Sequence, residues 1–489
     1  MGVLVTVVLR TFFYLLAVLT GIVSSFVLVR KLPPSSYGIF QLISRRIAGY
    51  TALPVHLLGF WAYRYEAEKL GGGRCLIQFA AAYTVPALAL GFTVSQLLGL
   101  QGLAMLLAAL LLALNPLQVA TQALLSSLKP VKYSITILLH RITYSLTVIV
   151  LVYMISRGLE GAFVAALLAT TLATLIGYRW VKEQLKDDKN CGKILGEWAR
   201  AIHTPALAHA ASLIASLDAI IAYTFWGTET VAAYFAISIP SALAVEVMSA
   251  GISYLSAYTL ASRDVVTAYR VVKILMTITI PLLAYIAAHT WWATLLVNPT
   301  YNWASTPMTI ITLARIIDVL NAGLGTIYSG IQKGGTSTSK KLSKLNIYAL
   351  VTRTIYILIF LLILQLTKNC EEALIAWTLA SLVTSTVNLT LLVRVLKKEG
   401  EMVARETRKA IIRTIAYTLI ALVLATQLPP KQPETLKFIN VVEAAIPTLI
   451  TYLLAYIAVI CLIDSEARML LARTPQLLQA YCSGFKNRS

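Results

Sequence analysis

The feature that constrains this chain most is the recurrence, from end to end, of apolar runs of about twenty residues. Each is long enough to cross ~30 Å of hydrocarbon as a helix rising about 1.5 Å per residue. Within hydrocarbon every backbone N–H and C=O must find its partner inside the segment, so such runs commit the chain to spanning helices. Counting them gives about fourteen, with cores at 3–29, 37–63, 75–98, 103–125, 135–155, 162–178, 205–225, 231–258, 271–288, 306–331, 347–366, 373–396, 411–427 and 441–463.

Composition agrees with this reading. Of 489 residues, 58% are hydrophobic and only 13% charged, and the mean hydropathy is +0.76, outside the range of soluble domains. The expected fold class is all-α, a polytopic membrane protein of about fourteen transmembrane helices whose first run is retained rather than cleaved. The formal net charge of +20 would suggest nucleic acid in a soluble protein. Here the basic residues crowd onto alternate connections, at 64–74, 129–132, 179–200, 263–273, 333–344 and 394–413, and into the tail. By the positive-inside rule these connections are cytoplasmic, which puts both termini on the cytoplasmic side of the cell membrane and removes nucleic acid as a partner. The other connections are short or sparsely charged and offer no outer domain for catalysis.

Motif signals point away from enzymes. The five cysteines, Cys75, Cys191, Cys370, Cys461 and Cys482, show no CxxC and no paired spacing, so neither disulfides nor a metal site is expected. Walker A, HExxH and GxSxG patterns are missing, which argues against nucleotide-driven transport and hydrolysis. No cofactor is expected. Asp464 and Glu466 form a DxE at the inner end of the last span, a slender basis for a metal-dependent transferase. Sequons at Asn388, within a span, and Asn487, in the tail, lie beyond the reach of glycosylation.

Two halves are visible. Pro86 and Pro281 occupy matching places in the third and ninth spans, and Arg141 and Arg353 each follow the last basic residue of the preceding connection, Lys132 or Lys344, by nine residues. Six spans per half is an even number, so the halves would be related by an axis along the membrane normal. The expected organisation is an N-terminal lobe at 1–180, a basic, partly amphipathic linker at 181–202, a C-terminal lobe at 203–398, and two further helices with a tail at 399–489.

Charged residues inside spans are costly and mark candidate sites. Arg45 and Arg46 sit side by side in the second span. Neighbouring helix positions differ by ~100°, so only one of them would face a cavity squarely unless the helix bends; Pro54 is a candidate bend. Asp218 and Glu246, in the seventh and eighth spans, are candidate carriers of a coupling proton or sodium ion, or else partners of arginines on other helices. Arg315 and Asp318 share a face at i, i+3 and can neutralise one another; Arg315 is also a candidate substrate contact. His56, His140 and His209 are read as structural.

At Arg30, Leu32, Pro34, Tyr37 and Gly38 the chain resembles the Arg-x-Leu-Gly-Pro-x-x-Tyr-Gly turn between the first two spans of polysaccharide and oligosaccharide-lipid flippases of the MOP superfamily, with Pro33 where glycine is usual. Asp218, Gly227 and Tyr234 are similar to that family's aspartate, glycine and Gly-x-Tyr, with Ala232 replacing a glycine, and Asn298, Pro299 and Tyr301 resemble its outer turn before the tenth span. The resemblance implies two six-helix lobes around a cavity that opens alternately to each side. It also implies a polyprenyl carrier bearing a sugar chain through phosphate or pyrophosphate, for which Arg45 and Arg46 would be bidentate ligands.

The expected function is therefore a flippase for a lipid-linked oligosaccharide, with Arg45, Arg46 and Arg315 binding substrate and Asp218 and Glu246 coupling an ion. Membrane lipids and glycan-assembly enzymes are the expected partners. The alternatives are a cation-coupled multidrug exporter of the same superfamily and, further off, a membrane-embedded transferase.

Overall fold

The computed structural model describes the chain except residues 1–2, 68–70, 186–189, 201, 263, 332–335, 466–467 and 469–489. Glu466, Cys482, Asn487 and most of the expected cytoplasmic tail therefore lie outside the described residues. Those described are helical almost throughout, with no strand among them. The helices are α1 (Val3–Lys31), α2 (Pro34–Gln41), α3 (Ala48–Thr51), α4 (Leu53–Ala67), α5 (Gly73–Leu97), α6 (Gly102–Leu128), α7 (Pro130–Val148), α8 (Gly158–Lys182) and α9 (Cys191–Arg200). They continue as α10 (His203–Ser262), α11 (Val265–Ala288), α12 (Thr290–Val297), α13 (Ser305–Ile331), α14 (Thr336–Leu364), α15 (Cys370–Lys397), α16 (Glu401–Gln427) and α17 (Phe438–Ile463).

Twelve helical stretches among the described residues are long and apolar enough to span a bilayer, against the fourteen runs counted in the sequence. Two local events account for the difference. The second run is broken into α2, a π-helical turn at Leu42–Ile47, α3 and α4, so no single helix there reaches spanning length. The seventh and eighth runs are joined in α10, whose interruption is Gly227 at φ 74°, ψ −170°, a conformation that strains any residue with a side chain. The chain is a multi-pass membrane protein.

Contacts group the chain into two units. The first comprises residues 8–239 and 334–380. Within it α6 packs against α5, α8 and α4, and α7 against α8. Lipid chains are as apolar as leucine, so these helices associate through close packing rather than hydrophobic expulsion. Small residues make it possible: a Cβ on Gly91 would lie 2.9 Å from Ala109 Cα, and one on Gly177 would lie 2.7 Å from Thr121 Cγ2. Val55, Leu58, Leu76 and Leu124 form a core onto which Trp198 of the amphipathic α9 docks fully buried. Contrary to the expectation of five unpaired thiols, Cys75 and Cys191 form a disulfide that ties α9 to α5. Their 116-residue separation leaves no local spacing signal to read.

The second unit comprises residues 1–7, 240–333 and 381–489. Its centre is α11, packed on α13 and α16. The C-terminal helices α16 and α17 are pinned to it by buried polar contacts: His289 donates to Ala425 O at 2.8 Å, Trp292 Nε1 to Val441 O at 3.0 Å, and Tyr452 to Pro281 O at 3.0 Å. Asp464 is occupied in the same way. It lies 2.8 Å from the buried Lys273 ammonium and accepts from Tyr417 at 2.6 Å. Asp464, the described member of the DxE pair, thus ties the end of α17 to α11 and α16.

Candidate functional site

The site in the first unit starts at the turn after α1. Tyr37 is fully buried and Gly38 brings α2 against α10, where a Cβ would sit 2.3 Å from Thr228 O. Only glycine permits this approach, which falls one residue after the break at Gly227. Docking α2 there sets the register of the next segment: a π-helical turn, Leu42–Ile47, holding both arginines. The i→i+5 turn is wider than an α turn, and such insertions recur at functional sites. The guanidinium carbons of Arg45 and Arg46 lie 6.0 and 5.4 Å from the centre of the Phe235 ring. Beyond the pair the helix breaks at Ala52, with Pro54 the second residue of α4, so the bend expected near Pro54 is present.

Arg46 Nη2 lies 3.3 and 3.4 Å from the two oxygens of Asp218. The carboxylate is 5% exposed and the arginine side chain 23%. Asp218 Oδ2 also accepts from Tyr356 at 2.8 Å and from Trp377 Nε1 at 3.0 Å. Trp377 Nε1 in addition lies 2.9 Å from the Tyr356 hydroxyl, and its ring stacks flat on Tyr234 with centroids 3.7 Å apart. With Ala219 N donating to Oδ1 at 2.6 Å, a carboxylate surrounded by one cation and three neutral donors has its charge balanced and its direction fixed. Arg46 Nε, by contrast, is buried without an acceptor among the described residues, and Arg45 is exposed. Nearby, Tyr50 donates to Leu213 O at 2.5 Å, a second tie between the broken second span and α10.

Of the sequence candidates, this unit brings together Arg45, Arg46 and Asp218. Arg315 and Glu246 belong to the other unit. Arg315 Nη1 is 3.3 Å from Asp318 Oδ2, the neighbour three residues on, and Asp318 accepts from Ser385 at 2.6 Å. Glu246 lies half-buried on α10 beyond Pro240. His56 and His209 face one another with ring centroids 5.3 Å apart. Nothing in the sequence singles out Tyr356 and Trp377, which look like two more aromatic residues in apolar runs. The one available signal is general: a buried tyrosine or tryptophan needs a partner for its O–H or N–H. Among the described residues no group of three or more His, Cys, Asp or Glu could hold a metal ion.

No family model matches the chain, and no curated protein matches it. Solved structures do. A multidrug resistance MATE family transporter of the MOP superfamily, in its inward-facing conformation, aligns with 80% of this chain and 98% of its own at TM-score 0.54 and 15% identity. A mutant of the Vibrio cholerae MATE transporter VcmN aligns with 82% of this chain and 98% of its own at TM-score 0.54 and 14% identity. A MOP superfamily transporter from Pyrococcus furiosus, described as having a binding pocket of reverse polarity that suggests a different function, aligns with 81% and 96% at TM-score 0.50 and 16% identity. At these identities the shared property is architecture: the chain has the fold of the MATE transporters of the MOP superfamily.

Proposed function

We propose that this protein is an ion-coupled, alternating-access exporter in which Asp218 exchanges the Arg46 guanidinium for a proton or sodium ion. The observation that carries this reading is the buried Arg46–Asp218 pair. A carboxylate that gains an ion loses its attraction for a guanidinium, so ion binding and the contact between the second span and α10 are thermodynamically linked. Solved neighbours with this fold include a multidrug resistance transporter described in inward- and outward-facing conformations, which favours organic small molecules as cargo. In this reading the basic connections face the cytoplasm of a cell membrane.

A second reading, the lipid-linked oligosaccharide flippase, is favoured by one feature. Arg45 is exposed beside Arg46, and Arg46 Nε has hydrogen-bonding capacity left over, an arrangement that suits phosphate oxygens better than a cationic drug. Proteoliposomes separate the readings. Gradient-driven uptake of a fluorescent organic cation, with no flipping of a fluorescent lipid-linked sugar, supports the exporter. Flipping of the lipid-linked sugar that is lost in Arg45→Ala with Arg46→Ala supports the flippase. Movement of neither cargo under a proton or sodium gradient contradicts both.

A further inference from the structure

The second unit contains a cationic pocket distinct from the residues above. It has a volume of about 140 Å³ and opens between α11, α13 and α16. Four basic side chains line it, Arg270 and Lys273 from α11 and Lys409 and Arg413 from α16, and Met276 and Leu320 are among its apolar lining. Carboxylates offset part of the charge. Lys409 is 2.8 Å from Glu406, which also has Arg405 at 3.7 Å. Lys273 is 2.8 Å and Arg413 3.8 Å from Asp464, and Asp264 lies in the field of Arg270. Among the described residues named here the cluster holds five basic groups and three carboxylates.

The depth of the pocket is set by sequence. On α11 the basic residues Arg270 and Lys273 mark the start of an apolar stretch, VVKILMTITIPLLAYIAA, and on α16 Lys409 and Arg413 do the same for AIIRTIAYTLIALVLA. On α17, Asp464 follows the last apolar residue, Ile463. Two of the lining helices, α11 and α16, thus change from polar to apolar at the pocket, as at the headgroup level of a bilayer leaflet. The volume is below the ~300 Å³ at which pockets for drug-sized ligands begin. It suits a compact anion with an apolar continuation.

We propose that this pocket binds the phosphodiester headgroup of an anionic membrane lipid on the side of the basic connections, with its glycerol end against Met276 and Leu320. Guanidinium and ammonium groups together are suited to phosphate oxygens, and basic pockets between helices at this depth are a recurrent form of headgroup recognition. A bound lipid would brace α16 against α11, the contact that holds the C-terminal helix pair to its unit.

The test is lipid titration of the purified full-length protein in detergent, followed by native mass spectrometry. The probes are phosphatidylglycerol, phosphatidylcholine and inorganic phosphate. The expected result is a preference of about tenfold or more for phosphatidylglycerol over phosphatidylcholine. Arg270→Gln with Lys409→Gln should remove that preference, and Lys397→Gln with Lys398→Gln should keep it. Equal binding of both lipids, equal loss in both double variants, or displacement of phosphatidylglycerol by equimolar inorganic phosphate would overturn the proposal. To keep the test independent of whether the pocket variant folds, a photoactivatable phosphatidylglycerol is also cross-linked to the unaltered protein. Adducts on peptides containing Met276 or Leu320 support the site, and adducts confined to other helices refute it.

Discussion

Arg46 and Asp218 lie 172 positions apart in sequence, yet the arginine's Nη2 is 3.3 Å from one carboxylate oxygen and 3.4 Å from the other. The pair joins the π turn of the broken second span to α10. A guanidinium and a carboxylate taken out of water gain their mutual attraction only against a large desolvation term, so pairing and burial must be disturbed together to be measured. In a double-mutant cycle on thermal melts, Arg46→Gln and Asp218→Asn should each destabilise, by about 2 kcal/mol for a pair in which the arginine is partly exposed. The double variant should lose clearly less than the sum. Additive losses would mean that the two side chains do not interact.

Gly38 should be intolerant of any side chain. A Cβ would lie 2.3 Å from the Thr228 carbonyl oxygen, a backbone atom that has no rotamer through which to retreat. Gly38→Val is expected to displace α2 and to lower the melting temperature by several degrees. Gly49→Ala, where a Cβ meets nothing within 4 Å, should be nearly neutral.

Asp264 caps α11, accepting from Thr267 N at 2.9 Å and from the Thr267 hydroxyl at 2.5 Å. These hydrogen bonds, the side-chain one foremost, hold its carboxyl below the ordinary 3.8. A depressed carboxyl contributes stability that is present above its unfolded value and is lost as pH falls through the folded one. Asp264→Ala should cost about 1 kcal/mol at neutral pH. The gap between it and the unaltered protein should close as melts are taken below pH 3.8.

The Cys75–Cys191 disulfide closes a loop across 116 positions, a cross-link expected to contribute up to about 5 kcal/mol, mainly by restricting the unfolded chain. Reducing agent should lower the melting temperature of the unaltered protein and leave Cys75→Ser unmoved. A reductant-insensitive melt in both would show that the bond does not form.

How far the sequence discloses this molecule depends on the range of each interaction. The spanning runs are legible because hydrocarbon imposes its length on the chain locally. Tyr37 and Gly38 stand out as part of a family-like turn, and the close approach to Thr228 gives them a physical reason. The pairing of Arg315 with Asp318 is legible because i, i+3 neighbours share a helix face. The hidden features are held by distant segments. An arginine on another helix is one of the two readings open to Asp218, but nothing local names Arg46. Tyr356 and Trp377 look like ordinary lipid-phase aromatics, and the cysteines 116 positions apart carry no shared motif. The π turn at Leu42–Ile47 has no proline or glycine to announce it, so regular α geometry is the natural assumption.

Whether Asp218 trades Arg46 for a coupling ion is tested most directly in proteoliposomes. Uptake of a fluorescent organic cation is followed under an imposed proton or sodium gradient, with the unaltered protein and Asp218→Asn compared at equal reconstitution. The predicted result is gradient-driven uptake by the unaltered protein that falls to the level of empty liposomes in Asp218→Asn. Equal gradient-driven uptake by both proteins would contradict the exchange.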